Sequence, residues 1–289
     1  MRGLALEGGG ARGAYQIGVV KALVENGYVF DGVVGTSIGA INAAILAQGD
    51  VEKAVELWTN ISVEKIFDED EQPLIRLADV KSLKNELSLI GSLAAQKALL
   101  KVIQNRGVDT EKMKNLLERY IDEEKIREAG RDFGSVTISI SDLKPLELML
   151  EDIPGGQLFH YIMASASFPG FHPESIEGKI FLDGAFYNNC PFKLLLEKGY
   201  DEVIAVRTDA HGVFPKVKDP RVKLIVPQDD LGSIMRFDPD NCAEKMEIGY
   251  RDGLRFIESG NESEKVKVKV NKKIKNKFKL ERIKKWKRL

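Results

Sequence analysis

Hydrophobic residues in the first fifty positions follow two alternating patterns. A short apolar segment at residues 3–6 is typical of a buried strand, and apolar residues then recur at helical spacing over 14–24. A second apolar segment at 30–34 and a second helical pattern at 38–46 repeat this order. Strand–helix–strand–helix order predicts a parallel sheet that is buried by helices.

The pattern changes to helices between residues 51 and 131, where apolar residues recur in steps of three and four. Strand patterns then return, at 136–140, 146–150, 179–182, 203–206 and 222–226. We therefore predict an α/β fold whose mainly parallel central sheet is sandwiched by helices, with a helical insertion. Within that insertion, the apolar stretch 89–95 fits either a helix packed on the sheet or a lid.

A stretch rich in Ser, Gly, Asn and Glu at 258–264 marks the most plausible boundary. We expect one core over 2–207, the C-terminal part of the same domain over 208–258, and a basic C-terminal extension over 259–289. The 289 residues carry a net charge of −1, but residues 265–289 alone hold eleven Lys, two Arg and one Glu. The body is therefore acidic and the extension strongly basic.

Cysteines and targeting patterns restrict the class of protein. Cys190 and Cys242 are too few and too far apart for a disulfide framework or a zinc site, and we expect two reduced thiols. We find no signal-peptide pattern, and no uncharged apolar run reaches the ~18 residues that a membrane span needs. These patterns predict a cytoplasmic protein whose membrane contact, if it has any, is peripheral.

The sequence Gly35-Thr36-Ser37-Ile38-Gly39 matches G-x-S-x-G and lies between a predicted strand and a predicted helix. A serine on such a tight turn exposes its hydroxyl, and the glycines on either side allow a sharp backbone turn. The helix that follows directs its positive end toward developing negative charge. Ser37 is therefore a candidate nucleophile.

Residues 8–13, Gly-Gly-Gly-Ala-Arg-Gly, allow two interpretations. A dinucleotide-binding loop would need an acidic residue at the end of the second strand, but Asp31 stands at its start. The favoured interpretation is an oxyanion hole, in which consecutive glycine N–H groups at a helix start bind a tetrahedral oxyanion. Arg12 would brace this loop.

A third motif, Asp183-Gly184-Ala185, follows the predicted strand 179–182. By itself, an aspartate before glycine is more often a turn former than a catalytic residue.

Together, these motifs resemble the patatin-like phospholipase family. The resemblance covers roughly 2–207 and includes Ala-Ser-Ala-Ser-Phe-Pro-Gly-Phe at 164–171 and Asn189-Cys190-Pro191, with Ala185 and Phe168 as departures. It implies a patatin-like fold and a lipid acyl hydrolase with a Ser–Asp dyad that needs no histidine, metal or cofactor. The roles that it implies are Ser37 as nucleophile, Asp183 as base, and the N–H groups of Gly8, Gly9, Gly10 and Ala11 as the oxyanion hole, supported by Arg12.

A Ser–Asp–His triad is the alternative within hydrolases. Only His160, His172 and His211 exist, and the order Ser37, Asp183, His211 fits the α/β-hydrolase chain order. In that fold, however, several strands precede the nucleophile, whereas here it follows the second. We therefore favour the dyad.

The expected substrates are carboxylic esters of phospholipids, lysophospholipids or related lipids. A thioesterase, a small-ester hydrolase and a peripheral lipid-binding protein with vestigial catalysis remain alternatives. The basic extension fits a solvated packing tail or an anchor to anionic membrane lipid. A nucleic-acid surface is disfavoured because no nucleic-acid motif or aromatic stacking set accompanies the charge.

Overall fold

The computed structural model describes residues 1–72, 75 and 107–260. The described strands are β1 (Arg2–Leu6), β2 (Gly32–Thr36), β3 (Asp132–Ser139), β4 (Lys144–Met149), β5 (Ser175–Ile176), β6 (Lys179–Asp183), β7 (Glu202–Val206) and β8 (Val222–Ile225). The described helices are α1 (Gly13–Glu25), α2 (Ile38–Ala47), α3 (Val51–Asn60), α4 (Val63–Ile66), α5 (Glu111–Leu117), α6 (Glu123–Glu128), α7 (Leu158–Ser165), α8 (Phe192–Glu197) and α9 (Pro239–Glu258). Short 3-10 turns span Gly10–Arg12, Leu150–Asp152 and Gly184–Phe186.

These strands form one mixed sheet in which hydrogen-bonded neighbours follow the path β5-β6-β3-β2-β1-β7-β8, and β4 pairs with β3 outside this path. On β3, β2 and β6 pair with successive stretches of one edge, and β4 pairs with the other edge. The five neighbours from β3 to β8 are parallel. By contrast, β4 and β6 run antiparallel to β3, and β5 runs antiparallel to β6. The predicted α/β fold with a mainly parallel sheet is confirmed.

Both faces of the sheet are covered by helices. Along β1, Leu4 and Leu6 pack into the larger core, to which α1, α2, α3 and α9 contribute. Ala5 points to the opposite face and packs into a second core with Phe192 and Leu195 of α8. This alternation follows from the two-residue period of a strand.

The second strand begins and ends two residues later than the sequence pattern predicts. It spans Gly32–Thr36 instead of 30–34 because its parallel pairing with β1 and β3 continues through Gly35 and Thr36. The strand therefore ends directly before Ser37.

The long helix α9 is not predicted by the hydrophobic pattern. It begins after Asp238, whose side chain accepts a hydrogen bond from the N–H of Asn241 and so caps the helix. Its buried residues include Lys245, Gly249 and Gly253, which weaken the apolar spacing on which sequence prediction depends.

The regular elements described between residues 51 and 131 are the helices α3 to α6, as predicted. The apolar stretch 89–95 and the basic residues 265–289 lie outside the described residues. Across the part of the chain that the structure describes, no helix is long and apolar enough to span a membrane.

Candidate active site

Ser37 occupies the turn between β2 and α2. Its φ of 56° and ψ of −128° form a backbone conformation that residues other than glycine rarely adopt. The turn is held on both sides of the residue: the N–H of Ser37 donates to Oγ of Ser165 at 2.9 Å, and its carbonyl accepts from the N–H of Ala40 at 2.8 Å. The hydroxyl of Ser37 is thus fixed at the carboxyl end of β2.

Gly35 and Gly39 each lie so close to neighbouring backbone that no other residue fits at these positions. A side chain at Gly35 would collide with the carbonyl of Gly39, and one at Gly39 would collide with the carbonyl of Leu6. The turn that carries Ser37 therefore packs directly on β1, with no room for a Cβ atom at either glycine.

Asp183 is the last residue of β6 and is only 1% exposed. Its Oδ2 accepts a hydrogen bond from Oγ of Ser37 at 2.6 Å, and its Oδ1 accepts one from the N–H of Ala185 at 2.8 Å. Burial raises the pKa of Asp183 to about 6, although these two hydrogen bonds favour the charged carboxylate.

The sheet explains why two residues 146 positions apart meet. Thr36, at the end of β2, pairs with Val136 of β3, and Asp183 pairs with the next residue, Thr137. Because β4 occupies the other edge of β3 over Gly134–Ser139, β2 and β6 must lie end to end along the same edge. The residue after β2 and the residue that ends β6 are therefore neighbours.

The glycine-rich loop follows β1 and lies beside Ser37. The N–H of Gly8 donates to the backbone and side-chain oxygens of Asn189, at 3.0 and 3.1 Å, and the N–H of Ala11 donates to the carbonyl of Ile234 at 2.7 Å. Among the described residues, no acceptor contacts the N–H of Gly9 or Gly10. Of the four predicted donors, two are thus engaged by the protein and two are available.

Arg12 lies at the end of this loop and braces it. Its guanidinium donates to the carbonyl oxygens of Thr208, Asp209 and Gly232, at 3.0, 2.7 and 2.9 Å. These three contacts connect the glycine-rich loop to the segment after β7 and to the loop that precedes α9.

A family model described as patatin-like phospholipase matches residues 4–196. The chain belongs to this family. It is 29% identical over 205 residues to lysophospholipase nte1 of Aspergillus terreus, an alignment that covers 71% of this chain and 12% of that protein. It is 26% identical over 210 residues to human patatin-like phospholipase domain-containing protein 6, covering 70% of this chain and 13% of the relative. The chain thus spans about one eighth of the length of these curated relatives.

The fold also has a counterpart among solved structures. VipD from Legionella pneumophila superposes with a TM-score of 0.55 at 16% sequence identity, covering 89% of this chain and 67% of that one. This likeness concerns the fold alone. The resemblance that we drew from the sequence motifs is confirmed at the level of the family and the fold.

The histidines do not form a triad with this pair in the structure, which describes all three of them. Nδ1 of His160 lies 2.9 Å from a carboxylate oxygen of Glu174, and His172 and His211 are exposed. Asp183 already uses one oxygen for Ser37 and the other for a backbone N–H. Nor does any part of the chain that the structure describes contain three or more His, Cys, Asp or Glu grouped so as to hold a metal ion.

Sequence reasoning missed several residues that support this site. Ser165 and Asn189 belong to segments that carry the family resemblance, but their contacts to Ser37 and Gly8 are visible only in three dimensions. Glu7 and Thr208 have no motif around them that would single them out. Both are fully buried and contact each other across neighbouring strands.

Proposed function

We propose that this protein is a metal-independent serine acyl hydrolase that cleaves carboxylic esters of phospholipids or lysophospholipids. The observation that carries the proposal is the 2.6 Å hydrogen bond from Oγ of Ser37 to the buried carboxylate of Asp183. A serine in a strained turn next to a basic carboxylate is the arrangement that nucleophilic catalysis requires.

In the first step, Oγ of Ser37 attacks the ester carbonyl while Asp183 accepts its proton. A carboxylate with a pKa of about 6 is mostly ionised at neutral pH but is a stronger base than an ordinary aspartate. The tetrahedral oxyanion would be bound by the free N–H groups of Gly9 and Gly10, with support from the positive end of α2. Arg12 would act through the loop that it braces.

In the second half of the reaction, Asp183 returns the proton to the departing alcohol, which leaves an acyl ester on Ser37. Water then attacks this ester, and Asp183 accepts the proton of the water molecule. When the second tetrahedral intermediate collapses, the bond to Oγ of Ser37 breaks, the fatty acid is released, and Asp183 returns its proton to Oγ, which restores the hydroxyl. No histidine takes part in either step.

An apolar rim beside the pair supports a lipid substrate. We define it as four exposed side chains: Phe168, Phe186, Tyr187 and Val213. Phe186 and Tyr187 follow Asp183 closely in sequence, and the N–H of Val213 donates to the carbonyl of Ala185 at 2.9 Å. The carbonyl of Ser167, directly before Phe168, accepts from the N–H of Asp183 at 2.9 Å.

The names of the relatives, a lysophospholipase and a patatin-like phospholipase, point the same way. A thioesterase or a small-ester hydrolase could use the same pair. A lipid-binding protein with vestigial catalysis fits less well, because the Ser37–Asp183 hydrogen bond and two free loop N–H groups are all present.

The deciding experiment treats the protein with a fluorophosphonate probe beside the variants Ser37→Ala and Asp183→Asn. Release of fatty acid from phosphatidylcholine is then measured in the presence of a metal chelator. We expect labelling at Ser37 and metal-independent release, both abolished by Ser37→Ala, and no turnover by Asp183→Asn. Labelling of Ser37 without lipid release would indicate that the substrates are thioesters or soluble esters. No labelling of the folded protein would favour a lipid-binding protein with vestigial catalysis.

We also propose that the basic extension attaches the protein to anionic membrane, since eleven lysines and two arginines within residues 265–289 would be attracted to such a surface. Co-sedimentation with anionic vesicles should fall when the chain is ended at Glu264. Unchanged binding would leave the extension as a solvated tail.

A further inference from the structure

Glu7 is a buried acid that the proposed reaction does not use. It stands between β1 and the glycine-rich loop and is 0% exposed. Its Oε2 accepts hydrogen bonds from the N–H groups of Thr208 and Asp209, at 2.6 and 3.0 Å. Its Oε1 lies 3.3 Å from the guanidinium of Arg207. A fully buried carboxylate is costly unless it is paired in this way.

The same two residues are held from their other side by Arg12. Whereas Glu7 takes the N–H groups of Thr208 and Asp209, Arg12 donates to both of their carbonyl oxygens. Thr208 is also tied directly to the loop, because its Oγ1 donates to the carbonyl of Gly8 at 2.6 Å. We call Glu7, Arg12, Thr208 and Asp209 the loop clamp.

The loop clamp encloses the two glycines whose N–H groups are free. Gly9 and Gly10 lie between Glu7 and Arg12, and each end of this short loop is fastened to the same dipeptide after β7. Glycine has the greatest backbone freedom of any residue, so donors on consecutive glycines need external support to stay aligned. Oxyanion donors are effective only when they are aligned before the reaction.

We propose that Glu7 is a positioning residue that aligns the N–H groups of Gly9 and Gly10 through its hydrogen bonds to Thr208 and Asp209. The inference rests on the proposed hydrolase function, and it adds a residue that acts without touching the substrate. The contribution depends on a charged acceptor, because a glutamine would turn an N–H group toward either the backbone donors or Arg207.

The test compares Glu7→Gln and Thr208→Val with Thr208→Ser and Asp252→Asn. Thr208→Val removes the donor to Gly8, whereas Thr208→Ser restores a hydroxyl. Asp252 is a matched control, since it is 4% exposed, accepts one backbone N–H from Gln228, and pairs with Arg255.

We expect Glu7→Gln and Thr208→Val to lower kcat on a soluble ester by about 10- to 100-fold, with KM changed less than about twofold. Thr208→Ser should recover most of kcat, and Asp252→Asn should lose stability without losing kcat. Equal losses of kcat in Glu7→Gln and Asp252→Asn would overturn the inference, because they would indicate general destabilisation.

Hydrogen exchange separates this inference from the proposed function. The amides of Gly8 and Ala11 are hydrogen bonded in the native protein and report on how firmly the loop is held. Glu7→Gln should speed their exchange, while Asp252→Asn should leave it unchanged. If the fluorophosphonate does not label Ser37 in the native protein, the hydrolase proposal fails, and hydrogen exchange becomes the test of the loop clamp. Unchanged exchange of the Gly8 and Ala11 amides in Glu7→Gln would then show that Glu7 does not hold the loop.

Discussion

At the residue scale, Ser37 and Asp183 are both held in states that cost free energy. Ser37 has a positive φ, and a non-glycine residue in such a region costs about 1–3 kcal/mol. Asp183 is a carboxylate that burial disfavours in its charged form. The surrounding hydrogen bonds from Ser37 to Ser165 and from Ala185 to Asp183 hold both residues in place.

The pKa of Asp183 makes a prediction for activity. In the proposed reaction, Asp183 must be ionised to accept the proton of Ser37, so kcat/KM on a soluble ester should rise with pH and reach half its plateau near pH 6. His211→Ala should leave this profile unchanged and Asp183→Asn should be inactive throughout. If His211→Ala abolished this pH dependence of kcat/KM, the result would instead favour the Ser–Asp–His triad.

The strain at Ser37 can be measured with two inactive variants. Ser37→Gly and Ser37→Ala both lack the hydroxyl, but only glycine tolerates a φ of 56° without strain. Ser37→Gly should therefore be more stable to urea than Ser37→Ala, by about 1 kcal/mol. At Glu56, an exposed position inside α3, the same two replacements should show the opposite order, because alanine is favoured over glycine within a helix. Equal stabilities of the two Ser37 variants would argue against strain.

At the element scale, β3 is the strand that assembles the site. Its first half pairs with β2, which precedes Ser37, and its second half pairs with β6, which ends in Asp183. A shift of β6 by one residue would turn its side chains to the opposite face of the sheet. The register between Thr137 and Asp183 therefore determines whether Asp183 can meet Ser37.

Helix α9 packs on α1 through small residues. A side chain at Gly249 would collide with the carbonyl of Tyr15, and one at Gly18 would collide with the carbonyl of Met246. Gly249→Ala should lower the free energy of unfolding by about 1–3 kcal/mol or more, because backbone cannot move aside cheaply. Gly155→Ala, where the added Cβ meets nothing within 4 Å, is the control. Urea denaturation measures the free energy of unfolding of both variants. If Gly249→Ala lost no more stability than Gly155→Ala, the result would contradict this close packing.

At the scale of the whole molecule, parallel pairing brings the functional segments together at one edge of the sheet. The glycine-rich loop after β1, Ser37 after β2 and the Thr208–Asp209 dipeptide after β7 all follow the carboxyl ends of adjacent parallel strands. This is the edge at which open α/β sheets bind their ligands. The apolar rim is joined to the same region by the hydrogen bonds around Asp183 and Ala185.

The apolar rim predicts a difference between lipid and soluble substrates. Inserting one large apolar side chain into lipid contributes about 1.5–3 kcal/mol to the free energy of binding, which raises the affinity for the lipid surface about tenfold or more. Phe186→Ser should therefore lower hydrolysis of micellar phospholipid about tenfold and change that of a short soluble ester less than about twofold. Val29→Ser removes an exposed apolar residue that precedes β2, at the opposite end of that strand from Ser37. It should affect neither substrate, and equal losses on both substrates in Phe186→Ser would contradict a lipid-contacting rim.

The sequence by itself determined the family, the α/β fold and the principal candidates for catalysis. Local constraints explain why these features are visible in the sequence, because Gly35 and Gly39 leave no room for side chains and Ser37 lies between a strand and a helix. Short apolar segments likewise predicted most strands, because a buried strand is marked by a run of apolar residues in its own local sequence.

Only the tertiary structure decided which loop N–H groups remain free, which residues hold the loop, and where α9 lies. The donors of Gly8 and Ala11 are taken by Asn189 and Ile234, which are distant in sequence. Glu7 likewise acquires its partners from Thr208 and Asp209, about 200 residues away. Hydrogen bonds between loops depend on strand order and register, which no local pattern contains, and so these contacts emerge only once the sheet is assembled.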